Sequence, residues 1–308
     1  MLAPILGGAE PLEVVRVEGG LVNTIYRVTI DGEEAAYALR VYAAGRPAFE
    51  IERRLLSNLR TGLPVPEVIF ADASGLRCAY PYLVYRWLKG ITLNEARKQL
   101  APKLFLTLAE PLGRLLARIG SVSFPDDLFG EWHCGRSTII GVAARLAQAE
   151  AQLCTDPARR RLGDALADRL RDHLATNAPL VRALDQPCGL VHGDFGGRNI
   201  LVKADAGGEW SISGVLDWES AAAGSALWDV GSLFRYPGRY STEFRGLFAH
   251  GYHAAGGALS HDWCWTSRLL DATQLVATLS EEQELPSVYA ECRELIESVV
   301  CGNEQAAA

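Results

Sequence analysis

The chain has 308 residues, 49% of them hydrophobic and 22% charged, which is enough for one large domain or two coupled lobes. Its net charge of −7 disfavours nucleic acid and anionic membranes as partners and permits a cationic small-molecule ligand, and no apolar run reaches the roughly eighteen residues of a membrane-spanning helix. The N-terminus has no basic segment, and the seven scattered cysteines form no Cys-x-x-Cys pair. These features predict a reduced cytoplasmic protein, whereas no feature of the sequence indicates its oligomeric state.

The N-terminal part of the chain predicts a small sheet. Residues 12–42 contain three segments with the composition of strands, and Asp31-Gly32 between the second and third is a typical hairpin turn. Gly19 and Gly20, between the first two segments, allow a backbone to approach a ligand closely. The loop lacks a Gly-x-Gly-x-x-Gly pattern, so by itself it does not identify a nucleotide site.

A helix is predicted next, beginning at about Pro47, because proline favours the first helical turn. Apolar residues at helical spacing continue to Leu59, and Thr61-Gly62 is expected to end the helix. Glu52 borders the apolar face, whereas Glu50 lies further round the helix. Glu52 is therefore the acidic side chain expected to face the sheet.

The middle of the chain changes from strand to helix. An apolar strand is predicted from Tyr80 to Leu88, and Thr92 is a candidate cap for the helix that begins at Leu93. Pro111 lies inside the next apolar stripe, so we expect a kink or a break there. Periodicity predicts two helices within residues 138–184 and further helices at 228–234, 241–256, 262–280 and 286–300.

The stretch from Leu190 to Val202 carries the strongest functional pattern. Two apolar segments flank a polar loop, which predicts a strand, a tight loop and a strand. His192, Asp194 and Asn199 lie in this loop. Asp194 and Asn199 are five positions apart, as are the aspartate and asparagine of the protein-kinase catalytic loop.

A second apolar strand ends on carboxylates, at Asp217-Trp218-Glu219, eighteen positions after Asn199. Kinases place a magnesium-binding aspartate at the end of such a strand. Phosphoryl transfer needs oxygen ligands for the cation and one group that orients the hydroxyl nucleophile. Asp217, Asn199 and Asp194 have the chemistry for these tasks.

These motifs resemble those of the aminoglycoside phosphotransferase and choline kinase-like superfamily. The pattern His-Gly-Asp-x-x-x-x-Asn, followed by an apolar strand and Asp-Trp-Glu, is similar to its signature, whereas protein kinases have Phe-Gly after the metal-binding aspartate. The segment from Gly224 to Gly231 resembles the superfamily's next block, which contributes a loop-supporting aspartate, here Asp229. The resemblance covers residues 12–300.

The resemblance implies a bilobal, protein-kinase-like α+β fold. A small lobe with an antiparallel sheet and one helix would bind the nucleotide, and a larger, mostly helical lobe would hold the catalytic loop and the substrate. The implied bounds are residues 1–88 for the small lobe, a hinge at about 84–90, residues 89–302 for the larger lobe and a disordered tail at 303–308.

The resemblance also assigns roles in the reaction. Asp194 is expected to be the catalytic residue, and Asn199 and Asp217 to bind Mg²⁺. His192 and Asp229 are expected to support the loop, and Glu219 to assist the metal through water.

For the nucleotide, Arg40 takes the place of the kinase lysine, because no lysine precedes Lys89 and Arg40 shares a strand face with Ala38. Glu52 is expected to pair with Arg40. The other expected nucleotide contacts are Ala38 on the same strand, Gly19, Gly20 and Asn23 in or beside the loop, and Val84, Tyr85, Arg86 and Trp87 in the hinge.

Together these features predict an ATP-dependent O-phosphotransferase that uses Mg²⁺, with GTP as an alternative donor and a small-molecule hydroxyl as acceptor. An aminoglycoside-type antibiotic is one candidate acceptor, since the glutamates after Ser280 would suit a cation, although a solvated helix surface is the simpler interpretation. A metabolic kinase for a sugar, amino alcohol or homoserine-like acceptor, and a nucleotide-binding regulatory pseudokinase, are the alternatives. A metal hydrolase would need more histidines near Asp217.

Overall fold

The structure is a computed structural model that describes residues 11–17, 23–30, 37–43, 48–59, 62–122, 142–154, 157–182, 189–236, 238–281 and 286–302. The chain divides into two compact units, Met1–Leu108 with Gly197–Ala221 and Ala109–Gly196 with Ala222–Ala308. The first unit thus extends beyond residue 88 and includes residues 197–221. The sequence-based lobe boundary at residue 88 stays a prediction.

The order of elements is that of an α+β protein, as the sequence predicted. They are β1 (Pro11–Val17), β2 (Thr24–Ile30), β3 (Tyr37–Val41), α1 (Ala48–Asn58), β4 (Val68–Asp72), β5 (Tyr82–Arg86), β6 (Ile91–Thr92), α2 (Leu93–Gln99), α3 (Pro102–Leu106), α4 (Ala109–Gly120), α5 (Val142–Leu153), α6 (Ala158–Leu162), α7 (Asp164–Arg182), β7 (Gly189–Val191), β8 (Ile200–Ala204), β9 (Trp210–Val215), β10 (Ala222–Gly224), α8 (Leu227–Leu233), α9 (Thr242–Ala254), α10 (Trp263–Leu279) and α11 (Pro286–Cys301).

The first unit contains a five-stranded antiparallel sheet in the order β1-β2-β3-β5-β4. Because side chains alternate across a strand, Leu39 and Val84 pack with apolar neighbours on one face, while Arg40 and Tyr42 lie on the other. The predicted pairing of β2 with β3 is confirmed, whereas the Asp31-Gly32 turn lies outside the described residues.

A smaller sheet of the first unit, in the order β6-β8-β9, contains the two strands that follow Asn199. Gly90 lies close against it: a Cβ at Gly90 would come 2.7 Å from the Val202 backbone oxygen. The predicted cap at Thr92 is confirmed, since the Glu95 N–H donates to Thr92 Oγ1 (3.2 Å) and the Thr92 N–H donates to Glu95 Oε2 (2.7 Å). These contacts fix the start of α2.

The helices confirm most of the predicted pattern. The break predicted at Pro111 falls just before it, between α3 and α4, so the proline occupies the first turn of α4, where its missing N–H costs no hydrogen bond. Residues 142–182 form three helices instead of the two expected, because Gly163, at φ +87°, ends α6 and separates it from α7. None of the helices in the described ranges is long and apolar enough to cross a membrane.

The second unit is held together by helices that cross at glycines. On α4 and α9, Gly113 faces the backbone of Phe248 and Gly251 faces that of Glu110, so closely that a Cβ at either glycine would overlap a backbone oxygen. At Gly231, α8 is equally close to α10. Such contacts bring backbones together and hold in place α8, the helix that carries Asp229.

Candidate active site

The loop of residues 192–196, in the second unit, is supported by Asp229, a fully buried residue in the first turn of α8. The backbone N–H of His192 donates to Asp229 Oδ2 (2.7 Å), and that of Gly193 donates to Asp229 Oδ1 (2.9 Å). Burial raises the pKa of Asp229 to about 7, while the two N–H donors act in the opposite direction. One buried carboxylate therefore fixes two consecutive peptide groups immediately before Asp194.

His192 supports the same loop from inside. It is fully buried, its Nδ1 accepts the backbone N–H of Asp194 (3.2 Å), and its ring packs edge-on against Phe195. An Nδ1 that accepts a hydrogen bond belongs to a ring protonated on Nε2. Gly193 has φ +82°, a conformation that glycine adopts without strain and that turns the chain between His192 and Asp194. The Asp194 side chain stays partly exposed at the turn.

In the first unit, Asn199 and Asp217 lie at the same end of the β8–β9 pair. Ile200 pairs with Val215, and the N–H of Leu216 donates to the Asn199 carbonyl (2.8 Å), which places the two polar residues on adjacent ends of the strands. Asn199 is buried and Asp217 is 36% exposed. Both candidate metal ligands are thus presented by one antiparallel pair.

Asp217 has an unusual backbone. At φ 68° and ψ 64° it is the non-glycine residue with a positive φ within the part of the chain that the structure describes. The next residue, Trp218, is fully buried, and its Nε1 donates to the Val215 carbonyl (2.9 Å). The indole anchors the turn and so holds Asp217 in this conformation. Strained residues of this kind occur often at functional sites.

Arg40 connects β3 to this turn. It is 5% exposed, and its Nη2 donates to Asp217 Oδ1 (2.7 Å) and to Glu219 Oε2 (2.6 Å). Burial alone would lower the pKa of Arg40, but the carboxylates of Glu52 and Asp217 raise it well above its ordinary value. Arg40 is therefore a permanent cation beside the carboxylates of Asp217 and Glu219, which follow β9.

Glu52 lies behind Arg40, as predicted from its position on α1, and is 1% exposed. Its Oε2 is 3.4 Å from Arg40 Nη1 and accepts the hydroxyl of Tyr42 (2.5 Å), which in turn is 2.8 Å from the Tyr85 hydroxyl. Burial raises the pKa of Glu52, and the Arg40 guanidinium opposes that shift. Tyr42 was not among the residues predicted from the sequence, although its spacing of two from Arg40 indicates that both side chains share one face of the strand.

Asn23 and Glu219 are in contact at the other side of Arg40. Asn23 is buried, and its Nδ2 donates to Glu219 Oε2. From the sequence, Asn23 was expected to bind the nucleotide and Glu219 to assist the metal. Gly19 and Gly20, the expected loop glycines, lie outside the described residues.

The expected hinge residues are divided between different environments. Ala38 is paired directly with Tyr85 across β3 and β5, so both share the face of Arg40. Val84 instead belongs to the apolar cluster on the opposite face, so the structure does not bring its side chain to Arg40. Arg86 is exposed and pairs with Glu67, and Trp87 is half-buried.

The ligand chemistry fits a magnesium–nucleotide complex better than a metal held by protein alone. Within the described ranges, no group of three or more His, Cys, Asp or Glu side chains is arranged to hold a metal ion. Mg²⁺ commonly takes only one or two protein oxygens together with substrate phosphates and water, and Asn199 and Asp217 offer an amide and a carboxylate oxygen. Around Arg40, three carboxylates face one guanidinium, an excess of negative charge that a divalent cation would balance.

Among its described residues, the second unit also contains a largely buried ion pair. Arg235 donates from Nε to Asp271 Oδ2 and from Nη2 to Asp271 Oδ1, both at 2.8 Å. Burial alone would lower the pKa of Arg235, but Asp271 raises it above its ordinary value, and the Asp194 charge adds to this. No sequence pattern joined Asp271 to Arg235, which lies 36 positions earlier in the chain.

Comparison with known proteins agrees with this geometry. The sequence model of the phosphotransferase enzyme family matches residues 13–265. No protein among the curated sequences matches significantly. The fold is similar to that of APH(2")-IIIa, solved with GDP and kanamycin (TM-score 0.73, 16% identity, covering 99% of this chain and 98% of that one).

Two further solved structures are similar. Macrolide 2'-phosphotransferase MphH from Brachybacterium faecium gives a TM-score of 0.65 at 17% identity, covering 99% of this chain and 97% of that one. Plasmodium vivax ethanolamine kinase gives 0.65 at 16% identity, covering 94% and 81%. These similarities confirm the kinase-like fold predicted from the motifs. With the match over residues 13–265, they identify the chain as a member of the phosphotransferase enzyme family.

Proposed function

We propose that this chain transfers the γ-phosphoryl group of ATP, or of GTP, to a hydroxyl group of a small molecule. The observation that carries the proposal is the buried Arg40, held by Glu52 and joined at 2.7 Å to Asp217. A fixed cation beside a carboxylate and an amide oxygen is the arrangement that phosphoryl transfer requires, because its catalysis depends on positioning and charge stabilisation.

In this proposal each side chain has one task. Asp194 orients the acceptor hydroxyl and accepts its proton, while Asp229 and His192 hold the loop that carries Asp194. Asn199 and Asp217 bind Mg²⁺, which when bound neutralises charge on the phosphate oxygens. Arg40 contacts the phosphates, with Glu52 maintaining its orientation.

The nucleotide is proposed to contact the Arg40 face of the first sheet, including Ala38 and Tyr85, together with the loop glycines Gly19 and Gly20. The hinge at residues 84–90 and the lobe boundary at residue 88 are part of the same proposal. In this proposal Arg86 and Trp87 contact the adenine through their backbone groups, since kinase hinges bind adenine with peptide groups. Val84 contributes by packing, because its side chain lies in the apolar cluster.

For the acceptor, we propose a cationic, aminoglycoside-type compound as the first class to test. The chain is acidic overall, and α11 exposes Glu291, Glu294 and Glu297, of which Glu291 accepts the Tyr236 hydroxyl (2.7 Å). A role in antibiotic resistance, in the cytoplasm, would follow from such an acceptor. A metabolic acceptor is the second candidate, supported by the similarity to an ethanolamine kinase.

The test is acceptor-stimulated ADP release with Mg-ATP across aminoglycosides, macrolides, choline, ethanolamine, homoserine and sugars. We expect one class to stimulate release, and Asp194→Asn to lower turnover at least about a hundredfold while nucleotide binding persists. Asp217→Ala should abolish Mg²⁺-dependent stimulation. Binding of Mg-ATP without stimulation by any acceptor would favour the regulatory pseudokinase, and near-normal turnover of Asp194→Asn would overturn the assignment of Asp194.

A further inference from the structure

We propose that Asn23 is a positioning residue that orients Glu219 beside the magnesium site, and that it acts through this carboxylate instead of on the nucleotide. This inference rests on the proposed function and deepens it, because it concerns the Mg²⁺ dependence of the same site. It assigns to Asn23 a role different from the nucleotide contact that the sequence suggested.

The orientation of the Asn23 amide is determined by its two partners. Its Oδ1 accepts the backbone N–H of Ala43, just after β3 (3.3 Å), so its Nδ2 is the atom directed at Glu219 Oε2. A flipped amide would set its oxygen against a carboxylate and its NH₂ against an N–H. The side chain is 6% exposed, and burial without these partners would be unfavourable.

Asn23 also has a fixed place in the sheet. It directly precedes β2, whose first residue Thr24 pairs with Val41 at the end of β3. The bond to Ala43 continues this pairing beyond the last paired residues of the two strands. The donor directed at Glu219 is therefore carried by the sheet that also carries Arg40.

Glu219 is held by two donors of different kinds. The same Oε2 accepts Arg40 Nη2 (2.6 Å) and Asn23 Nδ2. Arg40 is shared among Glu52, Asp217 and Glu219, and in the proposed function it also meets the nucleotide phosphates. A phosphate that draws Arg40 away would leave the Asn23 hydrogen bond to Oε2 in place, and this bond would continue to restrain the carboxylate.

This arrangement predicts a specific effect on metal dependence. Without the Asn23 donor, Glu219 would be held less firmly when a nucleotide engages Arg40, and the cost would fall on the binding of Mg²⁺. The affinity for ATP in the absence of Mg²⁺ should not change, since Asn23 bonds to protein groups on both sides. A direct contact between Asn23 and the nucleotide would weaken both affinities alike.

The experiment compares wild type, Asn23→Ala, Glu219→Ala and the double variant, using a fluorescent ATP analogue to measure affinity with and without Mg²⁺. We expect Asn23→Ala to raise the half-saturating Mg²⁺ concentration about three- to tenfold, which corresponds to the net loss of one ordinary hydrogen bond. The affinity for ATP without Mg²⁺ should stay within about twofold of the wild-type value. In the double variant, the loss of Asn23 should add little to that of Glu219→Ala. Asn58→Ala, an exposed asparagine of the same unit that bonds only to the Arg54 carbonyl among the described contacts, is the matched control.

Asn23→Ser, which retains a hydroxyl donor on a shorter side chain, is the second variant in case Asn23→Ala lowers the melting temperature. It should shift the Mg²⁺ midpoint in the same direction by less. An unchanged Mg²⁺ midpoint, a parallel loss of Mg²⁺-free affinity or additive effects in the double variant would overturn the inference. Absence of Mg-ATP binding in the wild type would instead overturn the proposed function.

Discussion

Arg40 Nη2 and Asp217 Oδ1 are 2.7 Å apart, although the two residues are separated by 177 positions in the chain. Arg40 is nearly completely buried, whereas Asp217 is more than a third exposed. The pair joins the third strand of the large sheet to the turn after β9, both in the first unit. It brings the proposed phosphate-binding cation and a proposed metal ligand into one cluster.

Replacement of Arg40 by lysine should impair catalysis despite the retained charge. The guanidinium faces Glu52 through Nη1 and contacts Asp217 and Glu219 through Nη2, and a single ammonium group cannot reproduce that geometry. We expect kcat/KM for ATP to fall about ten- to a hundredfold in steady-state ADP-release assays. Arg53→Lys, an exposed change on α1, should have no such effect, and an equal effect of both variants would contradict the assignment.

Two glutamates on α1 provide a matched comparison. Glu52 is buried against Arg40 and Tyr42, whereas Glu50 is 47% exposed and pairs with Arg53 and Arg54 on the surface. Glu52→Gln should weaken Mg-ATP binding about tenfold or more, because Arg40 loses the carboxylate that orients it, and Glu50→Gln should leave binding unchanged. Calorimetric titration with Mg-ATP would test both, and a larger effect of Glu50→Gln would reverse the assignment.

The raised pKa of Asp229 predicts that the stability of the fold depends on pH. Its pKa rises from an ordinary 3.8 to about 7 in the folded chain, so between these values the folded state binds more protons than the unfolded state. Its contribution to the free energy of unfolding is therefore full below about pH 4 and is lost as the pH rises through about 7. Asp229→Asn removes this titration. The melting temperature of the wild type should therefore fall relative to that of the variant as the pH rises from 4.5 to 7.5.

Thermal unfolding monitored by circular dichroism at four pH values would measure this difference. Asp172→Asn, at an exposed position of α7, corrects for the general loss of one carboxylate. Melting temperatures of wild type and Asp229→Asn that change in parallel with pH would rule out titration of Asp229 as the cause.

Helix α9 offers a test of the close helix crossing in the second unit. A Cβ at Gly251 would overlap the backbone oxygen of Glu110 on α4, so Gly251→Ala should destabilise the fold by about 1–3 kcal/mol. On the same helix, Gly246 is exposed with no atom within 4 Å of an added Cβ, so Gly246→Ala should stabilise by about 0.5–1 kcal/mol. Urea denaturation of both variants would reveal whether their effects have opposite signs.

Local sequence patterns were sufficient to predict most helices and strands and the order of the functional motifs. Apolar spacing predicted the last three helices nearly to their observed ends, and Thr92 and Pro111 marked boundaries that the structure confirms. Asp194, Asn199 and Asp217 were recognisable because they lie close together in the sequence, in two neighbouring motifs. Such features depend on neighbours within a few residues, so they can be read without the fold.

Tertiary structure alone decided which distant groups meet. The contacts of Arg40 with Glu219, of Asn23 with Glu219 and of Arg235 with Asp271 depend on how strands and helices pack. It also assigned residues 197–221 to the first unit and turned Val84 away from Arg40. The periodicity of apolar residues indicates which face of a helix or strand is buried. The residues that contact this face are selected by packing and by the need to compensate buried charge. Both are properties of the assembled fold, so they cannot be read from the local sequence.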